Sequence, residues 1–367
     1  MTTPERCHAD LQVIMDAVEI HSPTEYSIFG ERRDFPQTAA ASAGAPQSPV
    51  FEPALEAELY RRLYTRPAGG GVFAPNLLAQ RDHISALSAA NDGTGTWEPG
   101  WRINSLDEGG RVCVSRDEVS FWVPPSGLRT RTGKIKEGDF CRVLIGKEMR
   151  HLVPGFYFAF GNGAQQDERD TSDPLVRLYW HLTAGAAAQY MALTTSLFNR
   201  AGIPFRTKVL SDPASYVRAD AGVLYLERRW FGPARGLVSE IQRTLGAGLR
   251  ADVPMFTKPL AEGLGLAEDP HNRMSFGQSR CKLAARALWA CFVRGEGRRA
   301  GRVSLLMEAF REEGLDPLFP YLDKNSTDFY SLTGDLPTPP RATHKRPGRK
   351  AGKRRQHRAQ GRQKARP

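Results

Sequence analysis

The sequence predicts an α+β protein with a central, mostly antiparallel sheet flanked by helices, a helical N-terminal region and a disordered basic C-terminal tail. Three observations carry this. Apolar residues recur at helical spacing in the first hundred residues. From Trp101 the texture changes to short alternating runs rich in Val and aromatics, interrupted by turn residues. After residue 180, helical and strand patterns mix without the regular alternation of a doubly wound parallel sheet. Boundaries follow these shifts: residues 1–100 as a mainly helical region with a low-complexity loop at 36–50, 101–332 as an α+β domain, and 333–367 as tail.

Taken in order, ADLQVIMDAVEI sets Leu11, Ile14, Met15 and Val18 at helical spacing, so a helix is expected to run through Ile20. PQTAAASAGAPQSP (36–49) reads as a loop. LEAELYRRLY resumes a helix, which TRPAGGG ends, and NLLAQRDHISALSAAN forms another. DGTGTWEPGW reads as turns. RVCVSRDEVSFWVP, FCRVLIG, GFYFAFG and LVRLYWHL read as strands. AAAQYMALTTSLFNRAG is a helix stopped at Gly202. FRTKVL and GVLYLERRW add strands, RGLVSEIQRTL a short helix, residues 275–294 a long one with Ser275 as its N-cap, and VSLLMEAFREEG the last. GLGLAEDP reads as a glycine-bearing loop.

The net charge of +11 is local. From Arg341 onward the chain holds twelve Lys and Arg and no acid, which leaves 39 basic against 40 acidic side chains in residues 1–340. The body is near neutral, and the tail is an interaction arm or a solvated extension. Nucleic acid is a candidate partner only through that tail. The five scattered cysteines form no CxxC, which argues against a disulfide framework and a zinc site. No run of eighteen apolar residues and no apolar signal core occurs, so a cytoplasmic protein that does not engage membranes is expected. No P-loop, GxGxxG after a strand, HExxH, GxSxG or kinase signature is present.

One stretch invites chemistry. PFRTKVLSDPASYVRADAGVLYL (204–226) places Arg206, Lys208 and Arg218 in strand-like surroundings. Cations there meet either water at an edge or an anionic ligand. Period two puts Arg206 and Lys208 on one strand face.

The segments VEIHSPTEYSIFG, AANDGTGTWEPGWRI, HLVPGFYFAFG, VRLYWHL, NRAGIPFRTKVL, YVRADAGVLYL and PLAEGLGLAEDPHNRMSFGQSRCKLAARAL resemble, in this order, the HopA-type effector family over nearly all of residues 8–332. Relatives in bacterial peptide natural-product clusters act with a separate aminoglycoside-phosphotransferase-like kinase. The kinase phosphorylates Ser or Thr of a precursor peptide, and the HopA-like protein eliminates phosphate to leave dehydroalanine or dehydrobutyrine. A distant likeness to OspF-type phosphothreonine lyases accompanies it. The resemblance implies a lyase that needs no metal or organic cofactor. Its partners would be a phosphorylated precursor peptide, the kinase and, further off, a cyclase. A non-catalytic phosphopeptide-binding scaffold and a secreted effector acting on a host protein are the alternatives.

Such an elimination needs a base for the Cα proton, cations for a dianionic phosphate, and help for the leaving group. Arginine meets phosphate oxygens bidentately, and lysine serves as a base when neighbouring cations and burial favour the neutral amine. The resemblance, with Arg177 a poor base, points to Lys208 as base and Tyr179 or His181 as acid, with Arg177, Arg206, Tyr216 and Arg218 toward phosphate; the expected N-terminus of the 275–294 helix adds Arg280, with His271 nearby. On a regular strand Arg177, Tyr179 and His181 share a face, and Tyr216 shares one with Arg218 if its strand extends back. RLYWHL departs from the lyase pattern, with Arg177 in place of a catalytic Lys and Tyr179 in place of the acid His. The plain alternatives are an edge lysine at 208, core aromatics at 179 and 180, and structural ion pairs for the arginines.

Overall fold

The computed structural model describes residues 3–35, 51–67, 77–116, 119–150, 152–163, 174–270 and 274–333. The expected loop at 36–50, His271 and the basic tail from residue 334 lie outside these described residues. In chain order, α1 (Thr3–Ala17) leads into the meander β1 (Val18–Ser22), β2 (Glu25–Ile28) and β3 (Glu31–Asp34). α2 (Phe51–Leu59) continues as a π-helical turn, Tyr60–Tyr64, and α3 (Leu77–Ala90) follows. A five-stranded unit comprises β4 (Thr96–Leu106), β5 (Val112–Arg116), β6 (Val119–Val123), β7 (Leu128–Thr130) and β8 (Phe140–Ile145). Then come β9 (Glu148–Met149), β10 (Phe156–Phe160), β11 (Leu175–Trp180), α4 (Ala187–Ala201), β12 (Arg206–Leu210) and β13 (Gly222–Glu227). The chain closes with α5 (Phe231–Leu245), β14 (Lys258–Ala261), β15 (Leu264–Glu268), α6 (Phe276–Arg294) and α7 (Arg299–Glu312).

The α+β class holds, and every paired strand is antiparallel. The larger sheet has the order β14-β15-β11-β13-β12-β10-β9, the smaller β6-β5-β4-β8-β7. Period two divides each strand of the larger sheet between two faces. On one face Trp180 and Thr207 meet α4 through Tyr190, whose hydroxyl lies 2.8 Å from Thr207 Oγ1. Trp180 Nε1 donates to Gln242 of α5 at 3.1 Å. The opposite face meets α6, where Phe276 packs on Tyr179, and the π turn, where Tyr64 packs on Phe276. A cleft opens on this second face.

Three expectations change. α1 stops at Ala17 because Val18–Ser22 pairs with β2 as a strand. The TWEPGW turn is the start of the eleven-residue β4, whose alternation is broken at Pro99-Gly100 by a register shift against β8. The GLGLAEDP loop contains β15, an interior strand of the large sheet. The N-terminal helices share one apolar core with residues 156–330, and the separate small core belongs to residues 101–145. Gly202 ends α4 with φ of 66°, and Ser275 caps α6 as part of a capping box with Gln278. Among the described residues no helix is long and apolar enough to cross a membrane.

Candidate functional site: a cationic cleft on the large sheet

A cleft of about 610 Å³ opens over β11, β13, β12 and β10. Register builds it. Arg177 of β11 and Arg206 of β12 both stand directly opposite Tyr225 of β13, and opposed residues in antiparallel strands share a face. The two guanidinium carbons lie 5.3 Å and 4.8 Å from the Tyr225 ring centroid. One pair further along, Lys208 stands opposite Val223 on one side and Phe158 on the other. Its Nζ lies 4.1 Å from the Phe156 ring and 5.9 Å from that of Tyr225. Three cations from two strands thus converge around one phenol ring.

The cleft has an acidic counterweight and an anion-favouring end. Asp269, just past β15, pairs with the buried Arg177. Among the described residues neither Arg206 nor Lys208 takes part in an ion pair. Ser275 and Gln278, the two capping-box partners of α6, line the wall, so the N-terminus of a nineteen-residue helix adds partial positive charge. Leu152 and Val153 stand exposed among the lining residues. With its cations, helix end and apolar rim, the cleft suits a phosphate carried on a larger organic group.

The remaining expected residues fall elsewhere. Arg218 is bound bidentately to Asp220, at 2.9 and 2.8 Å, and Tyr60 donates to the same carboxylate at 3.1 Å. Burial pushes the Asp220 carboxyl up, but Arg218, with smaller help from Lys208 and Tyr60, outweighs it and holds it below its usual range. Arg218 therefore borders the site, 5.9 Å from the Phe156 ring, without lining it.

Tyr216 leaves the site altogether. β13 begins only at Gly222, and a short 3₁₀ turn capped by Asp212 occupies 213–215. The Tyr216 phenol donates to the Leu210 carbonyl at 2.6 Å and meets His83 Nε2 at 2.9 Å.

Arg177 and Tyr179 share a face of β11, opposite Tyr225 and Val223 of β13, whereas His181 lies beyond the strand's end. Tyr179 is buried beside Phe276, and burial pushes its phenol up. β11 ends at Trp180, and His181 lines a second cleft of about 390 Å³ with Arg62, Arg250 and Met255. Its Nδ1 donates to the Asp252 carbonyl at 3.0 Å, and burial lowers its pKa.

Arg280 is 1 % exposed. It donates to the carbonyls of Pro320 at 2.7 Å and Leu322 at 3.1 Å, so it fastens the 316–322 segment to α6 instead of facing the cleft. Burial pulls its guanidinium down to about 10, and it stays charged near neutrality.

Tyr225 and Asp269 were not among the expected residues. Alternation in GVLYLE does place Tyr225 two positions from Val223, but strand register, which sets it between two arginines, has no local signal.

Residues 148–322 match the sequence model of the HopA1 effector protein family. The matched region contains every residue lining the cleft. Two solved structures are similar to the chain, effector proteins from Pseudomonas syringae pv. tomato strain DC3000 and from Pseudomonas syringae pv. syringae strain 61. Both are 18% identical; the first covers 74% of this chain and 90% of its own with a TM-score of 0.44, the second 73% and 89% with 0.43. No curated protein matches the chain.

Proposed function

We propose that the cationic cleft is a phosphoserine or phosphothreonine lyase site acting on a peptide phosphorylated by a separate kinase. The observation that carries the reading is the convergence of Arg177, Arg206 and Lys208 on one sheet face around Tyr225. Arg206 and Arg177 hold the phosphate, with Asp269 yielding its place on Arg177 to the incoming dianion. Lys208 removes the Cα proton. The C–H electron pair forms the Cα=Cβ double bond, the Cβ–O bond breaks, and its electrons leave with the phosphate. The products are dehydroalanine or dehydrobutyrine and inorganic phosphate. The leaving dianion is stabilised where charge develops, which is where preorganised donors contribute most. Tyr225, between the two arginines, is the better-placed phenol for the leaving oxygen, in place of the buried Tyr179.

The direct test is mass analysis of a phosphothreonine peptide incubated with the protein. Loss of one phosphoric acid supports a lyase. An unchanged peptide that nonetheless binds supports a phosphopeptide-binding scaffold.

A second reading is favoured by the effector-family match over residues 148–322. It keeps the cleft and its chemistry and takes a host protein as target. A kinase and a Ser/Thr-rich precursor beside the gene separate the first reading from the second, for which a secretion chaperone is the expected neighbour.

A further inference from the structure

The five-stranded sheet turns one face to its own core, through Trp101, Ile103, Val112, Val114, Cys141 and Val143. Period two sends the intervening residues to the opposite, exposed face. The exposed charged residues on that face include Arg102, Arg129 and Arg142, and Arg111 stands beside Trp122 with its partner Asp107. Arg129 stands directly opposite Arg142, a like-charge pairing that costs stability unless an anion bridges it. Among the described residues none of Arg102, Arg129 and Arg142 takes part in an ion pair.

Aromatics are interleaved with them. Phe140 is 69% exposed and Trp122 46% exposed. Arg129 covers Trp97 at 4.0 Å from its ring, and Arg111 lies 5.7 Å from that of Trp122, so Phe140 is the open platform and Trp122 a partly open one. Phe140 shares a cross-strand row with Arg102, Ser115 and Ser120, and Trp122 lies two residues along β6 from Ser120. The platforms are therefore three strand spacings apart, about 14 Å laterally.

We propose that this outer face binds single-stranded nucleic acid. A single strand supplies what the face asks for, repeated anions for the arginines and flat bases for the aromatic rings. An acidic peptide answers the charge alone, and a duplex keeps its bases stacked away from Phe140 and Trp122. The twelve-cation sequence after residue 340 adds sequence-independent attraction to the same ligand.

The test is fluorescence anisotropy of a labelled twelve-nucleotide oligouridylate with the full chain across a salt series. Trp122→Ala with Phe140→Ala leaves every charge and the tail in place. It should weaken binding about tenfold or more, since each stacked base contributes at that level. Replacing Arg102, Arg129 and Arg142 by Gln should make the slope of log affinity against log salt shallower by about 2, from roughly 0.7 per phosphate contact. Circular dichroism confirms that each variant is folded. Undiminished binding by the aromatic double variant would assign the oligonucleotide to the tail and overturn the proposal. So would absence of binding by the parent chain at 50 mM salt, or displacement of the oligonucleotide by polyglutamate at equal charge.

Discussion

Arg177 and Arg206 come from strands on either side of β13 and share one aromatic ring, that of Tyr225, at 5.3 and 4.8 Å. The ring spaces two like charges that would otherwise repel, and it favours both through its quadrupole, by roughly 0.5–2 kcal/mol each. Tyr225→Leu should therefore weaken phosphopeptide affinity about tenfold with all cations still present, measured by calorimetry. Tyr225→Phe keeps the ring and should bind within about twofold of the parent. If the Phe variant binds but turns over slowly, the phenol has a part in proton transfer.

Arg206→Ala and Arg177→Ala should each weaken phosphopeptide binding by about 10–100-fold, the scale of a charged hydrogen bond of roughly 1.5–3 kcal/mol. The two differ in stability. Arg206 takes part in no ion pair among the described residues, so its loss should lower the melting temperature only by what its stacking on Tyr225 contributes. Loss of Arg177 strips Asp269 of its partner and should lower it further.

Arg280→Met should act on stability and not on binding. The substitution leaves the carbonyls of Pro320 and Leu322 without their buried donor, at about 1–3 kcal/mol for each unsatisfied group. Urea denaturation should show the loss, while affinity for phosphopeptide in the surviving folded fraction stays within about twofold if the arginine is purely structural.

Gly277 sits in the first turn of α6, where a Cβ would lie 2.4 Å from Tyr64 Cε1 and 2.7 Å from Tyr60 Cε2. Gly277→Ala gains about 1 kcal/mol of helix propensity but overpacks the buried Tyr64 ring and the partly buried Tyr60 ring, at typically ~1–3 kcal/mol. A lower melting temperature is expected, with the cleft disturbed at its helical wall.

Two histidines, the buried His181 and the partly buried His83, set a stability profile. Burial lowers the pKa of His83 and of His181 in the folded protein. The unfolded chain therefore takes up protons near pH ~6.5 while the folded chain does not. Their contribution is fully present above that pH and is lost as pH falls through it toward the depressed folded values. Denaturation midpoints at pH 7.5, 6.5 and 5.5 should decline in order. His181→Gln should flatten part of the decline, and a midpoint independent of pH would contradict the assignment.

Much of the cleft was legible because alternation is local. FRTKVL by itself puts Arg206 and Lys208 on one face, and VRLYWHL puts Arg177 on a strand. Partnership between strands was not legible. Nothing near Arg177 or Arg206 in sequence says that both stand opposite Tyr225, because register is set by the whole sheet. Tyr216 was misplaced because Asp212 caps a 3₁₀ turn that keeps β13 from extending back. Arg280 was misplaced because a helix has several faces, and this one meets the 316–322 segment. Glycine and proline hid β15 and the start of β4 by lowering strand propensity inside real strands.

The central claim is that Lys208 takes the proton while the arginines hold the phosphate. The measurement is parallel binding and turnover of one phosphothreonine peptide by the parent chain and by Lys208→Ala, with calorimetry for affinity and mass spectrometry for loss of phosphoric acid. The account predicts affinity within about tenfold of the parent and no detectable dehydrated peptide, because one of three cations is lost from binding but the whole of the base from catalysis. A Lys208→Ala variant that still releases phosphoric acid at the parent's rate would contradict it.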